Sequence, residues 1–243
     1  MTNYLEINYE NNMKALSQAL ECCEQNFSHS DIINILASND DIEKQLALIE
    51  LNSINSQEEA DILISNLTGK SGPIRETSSY KILELIQDTK FNNYFQNTFA
   101  LDSIIKSITD INPSVSRYAV ETIRYIDDVD YIYNKIIENI NLTLSNLDKE
   151  TKNRSYVQNK KNFNLYWNLE ALISLSDKIT PDDNLLEILN ITAKSNDYTI
   201  REKTAKCAFC YTNRFQQFAN ILKILENDEN IYVQKYSKQR TEY

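Results

Sequence analysis

Cys207-Ala208-Phe209-Cys210 is the one CxxC in the sequence. A CxxC pair forms a redox disulfide when it opens a helix after a strand. It supplies half of a tetrahedral zinc site when a second pair follows at matching spacing. Here the other two cysteines, Cys22 and Cys23, are remote and adjacent to each other, and the local pattern puts Cys207 and Cys210 in mid-helix. On a helix both thiols flank the stripe Ile200, Thr204 and Ala208, so they read as small packing residues, with a redox-sensitive pair as the alternative. His29 is the single histidine and sits in a Ser-rich turn, which excludes a His-based metal cluster and leaves a histidine-dependent triad one candidate. Tyr166-Trp167 holds the one tryptophan and could stack a flat ligand, although core packing is the default for that register. Asp127, Asp128 and Asp130 lack the ligand alternation and closing Glu of a calcium loop and read as helix caps. No phosphate loop, serine elbow or kinase signature occurs. The expectation is no catalytic residue, no metal site and no cofactor.

A different kind of site is suggested by charge. Between Asp148 and Lys161 the chain places Lys149, Lys152, Arg154, Lys160 and Lys161 against two acids, inside a protein of net charge −10. Residues 146–162 therefore read as a basic insertion, either a loop that meets an acidic partner or phosphate, or a solvated linker or helix extension. The overall acidity, with a pI near 4.8, argues against nucleic acid, which is held by a basic face. No apolar stretch approaches the roughly 18 residues of a membrane span. The first residues, Met1-Thr2-Asn3-Tyr4-Leu5-Glu6, carry neither a basic segment nor an apolar run, so the expected compartment is the cytoplasm, with free thiols.

The elements that must position these residues are helices. Two Gly and three Pro in 243 residues cannot supply the turns of a sheet-rich or dinucleotide-binding fold. One pattern recurs: a polar or Pro-containing turn, an apolar anchor, then small or apolar residues four and eight positions on. Ile74 leads to Ser78 and Ile82, Val115 to Ala119 and Ile123, and Ile200 to Thr204 and Ala208. Weaker copies start at Ile42 (with Leu46, Glu50 and Ile54), at Trp167 (with Ala171 and Leu175) and at Val233. The six anchors lie 32, 41, 52, 33 and 33 residues apart, so three spacings agree within one residue and two carry insertions. Between anchors runs a second amphipathic stretch, as in Ala60–Leu67, Ser103–Ile108 and Leu185–Leu189. Neither helix of such a pair buries its stripe alone, so neighbouring pairs must stack. Pro73 and Pro113 suit the first turn of a helix, and Thr180-Pro181-Asp182-Asp183 opens another.

The turn, Val/Ile, Arg, small pattern at 71–86, 112–126 and 196–211 resembles the second helix of HEAT repeats, including those of the phycobilin-lyase subgroup. The likeness spans Ser30 to Tyr243; Arg follows the anchor at Arg75 and Arg201, comes one residue late at Arg117, and is missing elsewhere. It implies an all-α solenoid of about five to six HEAT-like antiparallel helix pairs in a single domain over 1–243, with residues 1–27 as a capping helix. In that family the second helices line a concave face, which would put Arg75, Glu76, Ser79, Arg117, Arg201, Glu202 and Lys203 toward solvent. The function so implied is a protein or peptide-binding scaffold without catalysis of its own, of undefined oligomeric state. A second reading, a HEAT-type phycobilin lyase acting on a partner phycobiliprotein, shares only the repeat architecture. A third, a HEAT-like alkylpurine DNA glycosylase, calls for a basic groove and paired tryptophans, against one Trp here and Glu170 three residues after it.

Overall fold

A computed structural model of the protein describes residues 27–38, 40–145 and 154–238. The expected capping helix at 1–27, Cys22, Cys23, Lys149 and Lys152 lie outside those residues, apart from Phe27. Within them the chain forms twelve α-helices and no strand. They are α1 (His29–Ala37), α2 (Asp41–Glu50), α3 (Gln57–Leu67), α4 (Gly72–Ile86), α5 (Thr98–Ser107) and α6 (Pro113–Thr122). The series continues with α7 (Val129–Ser145), α8 (Arg154–Ser174), α9 (Asp183–Thr192), α10 (Tyr198–Thr212), α11 (Ala219–Leu225) and α12 (Ile231–Lys238). The fold is an all-α solenoid, and the described helices follow one another as six pairs.

The described residues divide into two compact units. Residues up to Ser107 together with Asn112–Tyr118 form the first, and Ile108–Ile111 with Ala119 onward form the second. In the first, α1 packs on α3 and α3 on α5, while α2 packs on α4. In the second, α7 packs on α9, and α8, α10 and α12 lie side by side. Each unit is thus a layer of odd-numbered helices on a layer of even-numbered ones, the arrangement that lets an amphipathic pair bury both stripes.

The even helices α2, α4, α6, α10 and α12 each start from a short polar residue. The Asp40 carboxylate accepts from the amides of Ile42 and Glu43, Asn112 from Ser114, Asp197 from Thr199 and Asn230 from Tyr232, at 2.9 to 3.2 Å. Ser71 holds the same place before α4, where Pro73 leaves one fewer amide to satisfy. Counting from these caps, the third helical residue is Ile74, Val115, Ile200 or Val233, all buried as the pattern predicts. Four residues on come Ala47, Ser78, Ala119, Thr204 and Ser237, every one small and buried. Small side chains there let neighbouring helices approach closely.

Two expected anchors shift on this count. The first repeat is capped at Asp40, so its equivalent position is Glu43 rather than Ile42. Accordingly Ala47 and Leu51 are buried, while Ile42 and Leu46 are half-buried and Glu50 is exposed. Trp167 lies in the middle of the 21-residue α8, far from any cap, and is half-buried although Ala171 and Leu175 beyond it are fully buried. Residues 154–162, half of the expected basic insertion, are the first turns of α8. No helix among the described residues is long and apolar enough to cross a membrane.

Candidate functional site

The arginines expected to face solvent are the first point at which structure and sequence part. Arg201 is buried: its Nε and Nη2 donate to Oδ2 and Oδ1 of Asp228 at 2.6 and 3.0 Å, and its Nη1 donates to the Ser195 carbonyl at 2.8 Å. Asp228 is held below the usual carboxylate range chiefly by the Arg201 hydrogen bond, and Arg201 is correspondingly raised. Arg75 does a similar task before α4, donating to the carbonyls of Gly69 and Lys70 at 3.1 and 3.0 Å. At the equivalent place in α12, Gln234 reaches the Asp228 carbonyl. Carbonyls at the C-terminal end of a helix have no intrahelical donor. The long side chain one position after the anchor therefore reaches back to bind the turn. Ser79, also expected at the surface, is buried and donates to the Glu76 carbonyl at 2.8 Å. Of the remaining expected surface residues, Arg117 is exposed and Glu76 is half-buried, accepting from Asn112 Nδ2 at 2.8 Å.

Residues on α8 and α10 converge instead. On α8, Tyr166 and Trp167 lie three and four residues after Phe163, and Glu170 lies four and three residues after them, so the four share a stripe on one side of the helix. Lys203, Lys206, Cys207 and Cys210 repeat that stepping on α10. The stripes meet where Glu170 receives Lys203 Nζ at Oε2 and Lys206 Nζ at Oε1, the second at 3.2 Å. Lys203 Nζ also stands 4.5 Å from the centre of the Tyr166 ring, a cation–π contact. Trp167 meets Tyr166 edge-on at 5.4 Å and Phe163 at 6.3 Å. The side chains of Lys203, Glu170 and Lys206 are 12%, 24% and 30% exposed, so the cluster grades from covered to open.

Electrostatics fix its protonation. Burial alone would raise the Glu170 carboxyl, but hydrogen bonds and charge from Lys203, then Lys206, outweigh it and hold it below its ordinary value. Burial works against the Lys203 ammonium, and Glu170 more than compensates, keeping it above the usual lysine range. The neighbouring thiols go the other way. Cys207 is fully buried, and burial pushes it well above its ordinary value, with the Cys210 and Glu170 charges adding to the effect. Cys210, half-buried, is raised mainly by burial against the pull of Ser176 and Lys206. The Glu170 carboxyl is thus held in its ionised form between two ammoniums, and both neighbouring thiols are held toward their protonated form.

Among the described residues no three His, Cys, Asp or Glu side chains converge as a metal site requires. His29 opens α1, with Nε2 3.0 Å from Glu59 Oε2 and 2.8 Å from Asn55 Nδ2, and so joins α1 to α3 rather than standing in a turn. In the first unit the even helices carry a smaller aromatic contact, Tyr80 on α4 edge-on to Tyr118 on α6 at 5.5 Å. Lys160, on the exposed side of α8, and Lys161 are not part of the Glu170 cluster, and the Arg154 side chain lies outside the described residues. Lys206 and Glu170 were not singled out from sequence as partner-binding. Yet Glu170 and Lys203 are 33 residues apart, the spacing of successive anchors, so the repeat itself sets them side by side.

No protein-family model matches the sequence, and no curated protein matches it. Among solved structures, an engineered protein from a structural genomics consortium aligns with a TM-score of 0.51 and 14% identity. The alignment covers 85% of this chain and 94% of that one. A designed armadillo repeat protein aligns at 0.48 with 14% identity, covering 85% and 95%. A second, solved in complex with the peptide (KR)4, aligns at 0.49 with 16% identity over the same shares. Identities this low speak to the fold alone.

Proposed function

We propose that this chain is a HEAT-type scaffold that binds a protein or peptide partner through its even-numbered helices and works in the cytoplasm. The observation that carries the reading is the α8–α10 cluster. Aromatic rings and charged heads stand together, partly exposed, on the layer that a repeat protein devotes to recognition. Rings of Tyr and Trp offer large contact area at small entropic cost, and the adjoining charges set register and partner choice. The exposed Tyr80, beside Tyr118, extends the same chemistry to the first unit. Free Cys207 and Cys210 fit a reducing compartment. Arg117 and Lys160 remain candidates for the rim, whereas Arg75 and Arg201 are occupied in binding their own turns.

The test is affinity purification of the intact protein from its native source, with mass spectrometry of what co-purifies and an absorbance spectrum of the eluate. A stoichiometric protein partner and a colourless eluate are expected. A visible chromophore, or a phycobiliprotein as the partner, would overturn the reading in favour of a lyase.

A further inference from the structure

We infer that the α8–α10 cluster is an anchoring site for an acidic segment of a protein partner, with Lys206 taking a carboxylate and Tyr166 and Trp167 flanking an adjacent aromatic or apolar side chain. The inference rests on the scaffold reading above and names the chemistry of its partner.

Charge is the first argument. Helices α8, α10 and α12 each carry net +2 in a chain of net −10, while of the other helices of the same unit α7 and α9 are net negative and α11 carries net +1 through Lys223. The even-numbered layer of this unit is thus the more basic of the two. Lys160, Lys235 and Lys238 on that layer are exposed. A negatively charged segment is drawn to such a layer and repelled by the rest of the protein.

Geometry is the second. Glu170 is one carboxylate facing two ammoniums, so the cluster keeps a net positive charge inside a partly water-excluded setting. Lys203 spends its head on Glu170 and on the Tyr166 ring. Lys206 makes one bond to Glu170, and an ammonium has three protons to give. With about a third of its side chain open, Lys206 can donate outward without releasing Glu170. Glu170 also fixes the lysine in place, so an incoming carboxylate meets a head whose position is already set. Beside it, the edge-on Tyr166–Trp167–Phe163 group forms a rigid apolar wall. A charged head next to an aromatic wall selects an acid followed or preceded by an apolar residue.

Trp167 is the single tryptophan, so its emission in the unmodified protein reports on this site alone. The experiment titrates the full chain with three Trp-free probes: a Glu/Asp-rich peptide containing Phe, a Lys-rich peptide of equal length, and inorganic phosphate. The acidic peptide should change Trp167 emission saturably, and binding should weaken as salt shortens the Debye length from about 10 Å toward 3 Å. Lys206→Glu should weaken it by about tenfold or more, and Lys206→Arg should largely retain it, as expected for a charge contact at the edge of an interface. Because Lys206 is partly open, both variants should fold, which circular dichroism would check. Equal or tighter binding of the Lys-rich peptide, indifference of the acidic peptide to Lys206→Glu, or phosphate alone reproducing the response would each overturn the inference. Two further outcomes separate it from the reading it rests on. A co-purified partner that still binds the Lys206→Glu protein leaves the scaffold standing and removes this site. An acidic peptide that binds when no partner co-purifies leaves the site and removes the scaffold.

Discussion

At the scale of residues, Arg201 is buried in an ion pair, although sequence set it toward solvent. Arg201 and Asp228 are 10% and 8% exposed at their side chains and joined through two hydrogen bonds, with the Ser195 carbonyl as a third acceptor. Removing one partner of a buried pair leaves the other charged and desolvated, so Arg201→Ala should cost about 3–5 kcal/mol, read from denaturant melts. Acid supplies an independent check. The folded carboxyl of Asp228 is depressed, so its contribution is present above its unfolded pKa of about 3.9 and is lost as pH falls toward the folded value. Wild-type stability should therefore drop on acidification below about pH 4 more steeply than that of Arg201→Ala. Parallel curves would show that the pair is not what holds the turn. That role was hidden because an Arg after an apolar anchor reads equally as a surface contact or a turn clasp. Which one applies depends on where the carbonyls of the preceding helix point.

At the scale of elements, the position four residues past each anchor is the most informative. All five occupants are small and buried, but their hydroxyls fare differently. Ser237 Oγ stands 3.1 Å from the Leu225 and Val233 carbonyls, either of which accepts its one proton, whereas Ser78 Oγ is buried with no hydrogen-bond partner. The same substitution should then have opposite signs at equivalent places. Ser78→Ala should raise stability by about 1 kcal/mol, by relieving an unsatisfied hydroxyl, and Ser237→Ala should lower it by about 1 kcal/mol. Thermal melts of the two variants decide this, and a shared sign would mean that packing, not hydrogen bonding, governs the position. The spacing of this stripe was legible from sequence, and the polar cap three residues before the anchor was legible with it. What misled at Ile42 was choosing the nearest apolar residue rather than counting from Asp40.

At the scale of the whole molecule, the described helices belong to two compact units. Stability in repeat proteins is approximately a sum of neighbouring terms, so damage stays near its origin. Trp167 belongs to the second unit and reports on it alone, while far-UV circular dichroism averages over the helices of the whole chain. Arg201→Ala should lower the unfolding midpoint of Trp167 emission more than that of the circular dichroism signal. Ser78→Leu, an overpacking of the first unit worth about 1–3 kcal/mol, should do the reverse. Coincident midpoints in both variants would show that the chain unfolds as one cooperative body.

Helix content, the repeat and its buried stripe follow from sequence because they depend on local quantities: period, caps and the scarcity of Gly and Pro. The anchors Ile74, Val115, Ile200 and Val233 were identifiable on those grounds alone. The α8–α10 cluster was not, since Tyr166, Glu170, Lys203 and Lys206 are ordinary surface types until two helices from successive repeats stand next to each other. Only packing between those helices turns a scattered acid and two lysines into one charged, partly covered site, because charge and burial belong to neighbours in space rather than in sequence.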